Sequence, residues 1–159
     1  MTVSKEIERK ILLKEVPKIA YDEVYYIKQY YIREDDKWIR YRRMVDSKGN
    51  KTYIRTYKEK VENGVSNEYE EEISKKKYLK KVLKSEQKKV ISKHRYVKNM
   101  SDGMKWEIDD LEGVKLVIAE IEMPSLDYKI KIPKFIRNSY IKDVTRFREF
   151  SNRKLASYI

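Results

Sequence analysis

Carboxylates and basic side chains alternate with apolar residues in several short segments of this sequence. Near the amino terminus, the segment KEIERKILL places one set of side chains on one face of a β-strand and a second set on the other. The first set is Glu6, Glu8, Lys10 and Leu12, and the second, which we expect to face outward, is Ile7, Arg9, Ile11 and Leu13. Grouped carboxylates bind hard divalent cations such as Mg²⁺ or Mn²⁺, and grouped Arg and Lys side chains bind phosphate. A site that combines the two suits a polyanion that carries a metal ion, as a triphosphate does.

The same pattern recurs in later segments, often with like charges at positions i and i+2. Such neighbours lie about 7 Å apart on one face of a strand and repel each other. The carboxylates on these faces are Glu6, Glu8, Glu68, Glu70, Glu72, Glu107, Asp109, Glu120 and Glu122. The cations are Lys10, Arg40, Arg42, Lys58, Lys93 and Arg95.

Two architectures can accommodate these charged faces. In an open antiparallel sheet they would face solvent. In a closed barrel of about eight strands they would line a wet interior that holds one small ligand. A dry core is excluded, because each unpaired buried ion costs several kcal/mol. In the barrel, the opposite faces, which include Ile7, Ile11, Trp106 and Ile121, would lie outside.

The elements that must position these residues are mostly strands, predicted at 4–13, 25–32, 38–45, 52–61, 67–73, 89–97, 104–111 and 115–123. Turn residues separate them at 46–50 and 62–64. Ser74 is a predicted N-cap for a lysine-rich helix over 75–87. The region after Pro133 is less periodic, and we expect short helices there that cover a barrel end or the outer face.

Composition limits the function classes. The chain has 159 residues, which predicts one domain over 1–159, and its net charge of +12 favours anionic partners. It has no cysteine, which excludes disulfides and thiolate chemistry, and its single histidine, His94, cannot build a histidine metal site. No signal peptide is recognisable, and no segment approaches the about 18 apolar residues of a membrane span. We therefore expect a cytoplasmic protein without a membrane partner.

The order of the charged segments resembles the CYTH superfamily, the triphosphate tunnel metalloenzymes. EIERK matches its ExExK motif, and IRYRR, RTYKEK, NEYEEEIS, ISKHRYV, MKWEIDDLEG and VIAEIEM follow in the family's order. DVTRFREFSNRKLA resembles the closing segment. In that segment Asp143 stands where the family usually has Glu, and Arg146, Phe147 and Glu149 stand where it tends to have Gly, Asp and Arg. The resemblance covers nearly the whole chain.

The resemblance implies a mainly β (α+β) fold, a closed eight-stranded antiparallel barrel that forms a triphosphate tunnel, with a few covering helices. Family activities include inorganic, thiamine and nucleoside triphosphatases, RNA 5′-triphosphatases and class IV adenylate cyclases. The chain looks most like the short bacterial triphosphatases. The implied substrate is tripolyphosphate, ATP or a similar small triphosphate, with an RNA 5′ end as a further candidate, and the protein would be a monomer or homodimer.

The family's site residues transfer to matching positions here. Glu6, Glu8, Glu120 and Glu122 would hold Mg²⁺ or Mn²⁺ and, with Lys10, form the catalytic group. The phosphate ligands would be Lys10, Arg40, Arg42, Lys58, Lys93 and Arg95. Residues for a second ion or for positioning water would be Glu68, Glu70, Glu107 and Asp109. Trp38 either borders the tunnel mouth or packs at a strand end.

The implied reaction is hydrolysis, in which water attacks the terminal phosphorus in line. Two alternatives remain open at this point. A cyclase on the same tunnel would use the ribose 3′ hydroxyl instead, and a non-enzymatic binder would only hold nucleotides or RNA ends. No base-binding motif is recognisable, which favours hydrolysis over cyclisation, and the two ExE pairs favour an enzyme over a binder.

Overall fold

The computed structural model describes residues 2–86 and 88–157. Its strands agree with the eight predicted from the sequence, most of them longer by one or more residues. They are β1 (Thr2–Leu13), β2 (Glu23–Glu34), β3 (Lys37–Asp46), β4 (Lys51–Glu62), β5 (Val65–Glu72), β6 (Lys88–Asn99), β7 (Lys105–Leu111) and β8 (Val117–Glu122). A short ninth strand, β9 (Tyr140–Asp143), was not predicted.

The strands form one antiparallel sheet in the order β5-β4-β3-β2-β6-β7-β8-β1-β9, and β5 also pairs with β1. That additional pairing closes the first eight strands into a barrel, which confirms the predicted fold class. An open sheet with its charged faces in solvent is therefore the wrong alternative. Closure turns every second residue of each strand toward a common interior.

Strand β1 shares one of its edges between two partners. Its first half pairs with β5, and its last three residues pair with β9. Between these pairings, the Glu8 amide donates to the Gly64 carbonyl over 2.8 Å. Gly64 has a φ of +78°, and a Cβ there would lie 2.7 Å from the Glu8 carbonyl oxygen. Only glycine fits this turn, which lies directly beside the strand that carries Glu8.

The outer face of β2, β3 and β4 is covered by helix α1 (Lys75–Lys84). The Ser74 side chain caps this helix, as predicted, by accepting a hydrogen bond from the Lys77 amide. Tyr78 and Val82 pack against strand residues that include Tyr41 and Tyr53. The helix ends at Lys84, three residues earlier than predicted, and position 87 lies outside the described residues.

The segment after β8 covers the outer face of β1, β7 and β8. It contains the short helix α2 (Lys134–Arg137), and its Ile136 is fully buried. Ile136 packs against Ile11, Trp106 and Ile121, which confirms that these residues lie outside the barrel. The apolar faces of the strands thus form the main core, which leaves the inner faces to the charges.

One end of the barrel interior is apolar. There Ile91, Leu111 and Ile118 pack with Leu155 of helix α3 (Asn152–Leu155). This cluster closes part of that end, as expected for short helices in the carboxy-terminal region. In the part of the chain that the structure describes, no helix is long and apolar enough to cross a membrane.

Candidate active site

The two strands that carry the ExE pairs lie side by side. The register of β1 and β8 opposes Glu8 to Glu122 and Lys10 to Glu120. Lys10 Nζ lies 3.9 Å from Glu8 Oε1 and 3.8 Å from Glu120 Oε1, and these three side chains are largely buried. One lysine therefore stands between two carboxylates inside the barrel.

The two carboxylates next to Lys10 differ in charge balance. Burial and the negative charge of Glu120 raise the pKa of Glu8 to about 7. Burial also acts to raise the pKa of Glu120, but Lys10, Arg95 and Lys93 outweigh it and lower that pKa to about 2. The nearby positive charge thus stabilises Glu120 as a carboxylate and leaves the charge of Glu8 poorly compensated.

A second cluster lies where β1 meets β4 and β5. Lys58 Nζ donates a hydrogen bond to Glu6 Oε1 over 2.7 Å and lies 3.5 Å from Glu68 Oε2. Glu122 lies at the end of β8, where its residue is exposed to solvent. Partial burial of its carboxyl group and the negative charges of four other carboxylates raise its pKa. These four are Glu6, Glu68, Glu107 and Glu8. The carboxylates predicted to hold a metal ion therefore act on one another in the folded protein.

A divalent cation fits the chemistry of these residues. Burial and the negative charges of neighbouring carboxylates raise the pKa values of Glu8 and Glu122, and carboxylate oxygens are the ligands that Mg²⁺ and Mn²⁺ prefer. Within residues 2–86 and 88–157, however, no three acidic or histidine side chains stand close enough together to form a ready-made metal site. The carboxylates that could bind a divalent cation are therefore present, but they are not yet grouped closely enough to coordinate one.

Arg40 and Arg42 form an arginine pair on the inner face of β3. The terminal nitrogens Nη2 of both lie 3.7–3.8 Å from the same oxygen of Glu70, Oε2. The Nε atoms of both are buried and have no hydrogen-bond partner among the described residues. Burial, Arg40 and Arg95 lower the pKa of Arg42 to about 9, so its charge is held in an unfavourable environment. Two guanidinium groups that share one carboxylate can bind a further anion.

Asp109 is the centre of a different cluster, the Asp109 network, which also contains Lys93, Arg95 and Glu107. Arg95 donates Nε and Nη2 to the two oxygens of Asp109 over 2.7 and 2.8 Å, and Nη1 to Glu107 over 2.9 Å. Lys93 Nζ lies 2.7 Å from Asp109 Oδ2. Lys93 and Asp109 are at most 1% exposed. Burial acts to raise the pKa of Asp109, but Arg95 and Lys93 lower it overall.

A cavity of about 360 Å³ opens from the interior toward the barrel end near helix α3. Its inner wall includes Glu8, Lys10, Arg40 and Lys58. Trp38 lies on its outer wall, which is the first of the two positions that the sequence left open for it.

The outer wall also carries five cations that the sequence analysis did not assign to the site. We call them the outer cations, and they are Lys60, Arg146, Arg148, Arg153 and Lys154. Four of them lie in the segment that follows β9, which has no periodic pattern. The signal available in the sequence was the density of basic residues in TRFREFSNRK, but only the fold brings them to the cavity.

Two neutral polar residues also face the interior from β2. Gln29 is fully buried, and its Nε2 donates to the Tyr31 hydroxyl over 2.9 Å. Gln29 lies opposite Arg42, and Tyr31 lies opposite Arg40, in the register of β2 and β3. Tyr31 lines the cavity. Their sequence context, IKQYYIRE, reads as an ordinary strand, so only the structure links them to the arginine pair.

The structure thus brings the predicted site residues to the inner faces of one barrel, in four clusters around Lys10, Lys58, the arginine pair and Asp109. Glu72, at the end of β5, is exposed. Arg9, expected outside, pairs there with Asp143 of the closing segment.

Comparisons with known proteins extend this description. No family model matches the chain, and no curated protein matches its sequence. Among solved structures, the inorganic triphosphatase NE1496 is 24% identical over 97% of this chain and 95% of that one, with a TM-score of 0.62. A second structure of NE1496, described as a hypothetical protein, is 26% identical over 95% and 97%, with a TM-score of 0.61.

More distant structures share the fold over three quarters of the chain. PH1819 from Pyrococcus horikoshii OT3 is 19% identical over 77% of this chain and 80% of its own, with a TM-score of 0.59. A putative adenylyl cyclase from Hippeastrum, HpAC1, described as having a dominant triphosphatase activity, is 15% identical over 76% and 80%, with a TM-score of 0.50. These likenesses show that the chain shares the fold of these proteins, in agreement with the resemblance to the CYTH superfamily that the sequence indicates.

Proposed function

We propose that this protein is a divalent-metal-dependent hydrolase of triphosphates, with tripolyphosphate or a nucleoside triphosphate as substrate. One observation carries the proposal. A single cavity combines eight basic side chains with only two carboxylates, Glu8 and Glu62, and one of these two has its pKa raised to about 7. Such a cavity favours a polyanion that arrives with a metal ion.

The phosphate chain would lie along the arginine pair, Lys10 and Lys58. The arginine pair offers planar, bidentate donors, including two buried Nε atoms without partners among the described residues. Lys10 and Lys58 reach the same cavity from β1 and β4. Because each already contacts carboxylates, their charge is fixed in position before substrate arrives.

Glu6, Glu8, Glu120 and Glu122 would hold Mg²⁺ or Mn²⁺. When bound, such an ion supplies Lewis-acid polarisation and neutralises charge on phosphate oxygens. Lys93 and Arg95 hold the inner end of the site through the Asp109 network, and both act on the charge of Glu120. In this proposal they support the site mainly by fixing Asp109 and Glu120.

In the proposed reaction water attacks the terminal phosphorus, the terminal phosphoanhydride P–O bond breaks, and orthophosphate leaves with a diphosphate product. Arg40, Arg42 and Lys10 stabilise the charge that spreads over the equatorial and leaving oxygens. A cyclase would have to seat an adenine ring as well. Of the three aromatic side chains on the described cavity wall, Trp38 and Phe147 already carry cations, which leaves Tyr31 as the candidate stacking surface for a base.

The test is a substrate panel with products resolved by phosphorus NMR. It contains tripolyphosphate, ATP, GTP, thiamine triphosphate, 5′-triphosphorylated RNA, pyrophosphate and a monophosphate ester, each with Mg²⁺, Mn²⁺ or EDTA. We expect orthophosphate from at least one triphosphate, loss of turnover in EDTA, and poor turnover of the shorter compounds.

Three results would contradict the proposal. Equal hydrolysis of monophosphates and triphosphates would remove the tunnel as the basis of selectivity, and turnover that persists in EDTA would remove the metal. A cyclic nucleotide with pyrophosphate as products would replace the hydrolase by a cyclase.

A further inference from the structure

Helix α1 presents a dense patch of positive charge on the outer surface of the barrel. Lysines make up more than half of its residues, all of them exposed, and its first turn contains no acidic residue. Among the described residues, only Lys81 of these lysines forms a salt bridge, with Glu34 Oε1 3.1 Å from its Nζ. The others, which we call the helix lysines, are Lys75, Lys76, Lys77, Lys80 and Lys84. Their charge is left to solvent or to a partner.

The first turn of α1 carries charges that oppose helix formation. Lys75, Lys76 and Lys77 lie at the amino-terminal end, where the helix dipole is positive and acidic side chains are favoured. The Ser74 cap and the packing of Tyr78 on the barrel hold the helix in place nonetheless. Lysines at these positions do not serve the stability of the helix, which favours a role in binding a negatively charged partner.

Two exposed leucines indicate what kind of anionic partner fits. Leu79 is 38% exposed and Leu83 is 75% exposed. Their i, i+4 spacing places them side by side on one flank of the helix, bordered by the lysines one turn earlier, Lys75, Lys76 and Lys80. Nucleic acid offers phosphates along its backbone but no apolar layer for a pair of leucines. The surface of a bilayer offers both anionic headgroups and acyl chains.

We propose that α1 is a docking surface for a bilayer of anionic phospholipids. The leucine pair would lie at the boundary between headgroups and acyl chains, and the helix lysines would extend their apolar stems along it to reach the headgroup phosphates. Lys28 and Lys88 extend the positive surface onto β2 and β6, since the Nζ atoms of both lie 5.8 Å from the centre of the Tyr30 ring. That ring lies 6.2 Å from the ring of Tyr78 in α1.

Docking through α1 uses residues that the candidate active site does not. The helix packs on the outer face of β2, β3 and β4, and none of its described residues lines the cavity. Bilayer binding is therefore independent of the reaction proposed for the cavity. The expectation of no membrane partner considered only segments that could span a bilayer, and a helix that lies on the bilayer surface needs none.

The experiment measures binding of the full chain to lipid vesicles by flotation at physiological salt. Vesicles of phosphatidylcholine alone are compared with vesicles that contain phosphatidylcholine and phosphatidylglycerol in about equal amounts. The charge variant is Lys76→Glu/Lys80→Glu. Its matched control is Lys14→Glu/Lys18→Glu, which makes the same change at exposed residues between β1 and β2.

A second pair of variants tests the leucines. Leu79→Ser/Leu83→Ser removes the apolar part of the surface and keeps every lysine. Its matched control is Val114→Ser/Leu126→Ser, at two exposed apolar residues outside α1. Thermal unfolding checks that all four variants are folded.

We expect the wild type to bind the phosphatidylglycerol vesicles at least about tenfold more tightly than pure phosphatidylcholine vesicles. Lys76→Glu/Lys80→Glu should weaken this binding at least about tenfold, because one lysine near an anionic bilayer contributes about fivefold. Leu79→Ser/Leu83→Ser should weaken it at least about fivefold. Both controls should stay within about twofold of the wild type, since charges farther than a Debye length of about 8 Å are screened.

A fluorescent label gives a readout of position. The chain has no cysteine, so a single introduced cysteine can be labelled with an environment-sensitive dye. The label on Leu83→Cys should shift its emission to the blue with phosphatidylglycerol vesicles, because it enters the apolar boundary. The label on Leu126→Cys should show no shift.

Equal binding of the wild type to both kinds of vesicle, or equal losses in a variant and its control, would overturn the inference. Unchanged binding in Leu79→Ser/Leu83→Ser would also overturn it, since net charge alone would then account for the contact. Duplex RNA that displaces the protein from vesicles and loses its own affinity in Lys76→Glu/Lys80→Glu would identify nucleic acid as the partner instead. A blue shift at Leu126→Cys without one at Leu83→Cys would place the contact elsewhere on the barrel.

Discussion

The Asp109 network and the arginine pair lie on inner faces of the same barrel, but their charges are balanced in different ways. In the network, Asp109 accepts two hydrogen bonds from Arg95 at 2.7 and 2.8 Å and has Lys93 at 2.7 Å. In the arginine pair, two guanidinium groups share one oxygen of Glu70 at 3.7–3.8 Å. Asp109 is 1% exposed, whereas the Glu70 side chain is 32% exposed.

This difference distinguishes charges that are paired within the chain from charges that, in our proposal, a ligand would pair. The network pairs its buried ions within the chain, which offsets the cost of removing them from water. The arginine pair lacks a carboxylate at a comparable distance. Burial lowers the pKa of Arg42 to about 9 and also that of Lys93 to about 8, so the contact distances, not the pKa values, distinguish the two clusters. A bound phosphate chain would supply the missing negative charge.

The largest effect is expected from Asp109→Asn. The substitution keeps the shape of the side chain but leaves Lys93 and Arg95 buried without their main counter-charge. Removing one partner of a buried ion cluster typically costs about 3–5 kcal/mol in the free energy of unfolding. Urea unfolding at pH 7, followed by circular dichroism, measures this loss.

Glu70→Gln is the comparison for Asp109→Asn. Its contacts with the arginine pair are longer and more exposed to solvent, so we expect it to lower the free energy of unfolding by no more than about 1 kcal/mol. Equal losses in the two variants would mean that both clusters serve stability alike, and the distinction between them would fail.

The next largest effect concerns the carboxylates predicted to hold the metal. Glu8→Ala and Glu122→Ala should each lower metal-dependent turnover at least about 100-fold, since loss of outer ligand partners alone often costs 10–100-fold. Both should leave the fold intact, because each substitution relieves repulsion from neighbouring carboxylates.

Turnover at limiting Mn²⁺ and Mn²⁺ binding measured by electron paramagnetic resonance test these two variants. Glu59→Ala, an exposed carboxylate on β4, is the control and should change neither quantity. Wild-type turnover in both Glu8→Ala and Glu122→Ala at limiting metal would remove the assignment.

A smaller effect on activity, about tenfold, is expected from Arg42→Lys. Lysine keeps the charge but lacks the planar fork that binds two phosphate oxygens at once. Arg42→Met should weaken tripolyphosphate binding further, yet leave the free energy of unfolding unchanged or raise it by about 1 kcal/mol, because it removes a poorly compensated buried charge. Calorimetric binding and urea unfolding together separate these outcomes.

The matched control is Arg43→Met on the outward side of the same strand, which should leave tripolyphosphate affinity unchanged. Marked destabilisation by Arg42→Met would show that the arginine pair supports the fold, as the Asp109 network does.

Much of the fold was predictable because one face of each strand must be apolar. The alternation around Glu6, Glu8 and Lys10 indicated β1, and the matching pattern in VIAEIEM indicated β8. Strand β9 was missed because its four residues show little alternation, and its pairing with the end of β1 depends on the path of the preceding segment.

The inward placement of the candidate site residues was predictable to the same extent as their strands. The inward cations and carboxylates follow from strand periodicity, but which of them pair depends on the register and shear of the closed barrel. Lys93 and Arg42 were therefore predicted to have the same role, whereas Lys93 is paired with Asp109 and Arg42 shares Glu70 with Arg40. Gln29 and the outer cations were missed because neither a lone amide in a strand nor an aperiodic basic segment predicts its position in the fold.

The smallest effect is expected from Asp143→Asn, and it separates short geometry from burial as the source of stability. Arg9 Nη2 lies 2.7 Å from Asp143 Oδ2, as close as the contacts of the Asp109 network, but the two side chains are 36% and 30% exposed. Exposed pairs typically contribute less than about 1 kcal/mol. We therefore expect Asp143→Asn to lower the free energy of unfolding by less than about 1 kcal/mol at pH 7, measured by urea unfolding against wild type.

Burial acts to raise the pKa of Asp143, but hydrogen bonds from Thr145 and the charge of Arg9 lower it overall. A carboxyl with a lowered pKa in the folded state stabilises the protein above its unfolded pKa of about 3.9 and loses that contribution as the pH falls through the folded pKa. The difference between the variant and the wild type should thus shrink below about pH 4. A loss as large as that of Asp109→Asn would show that short distance alone, without burial, accounts for the stability of the network.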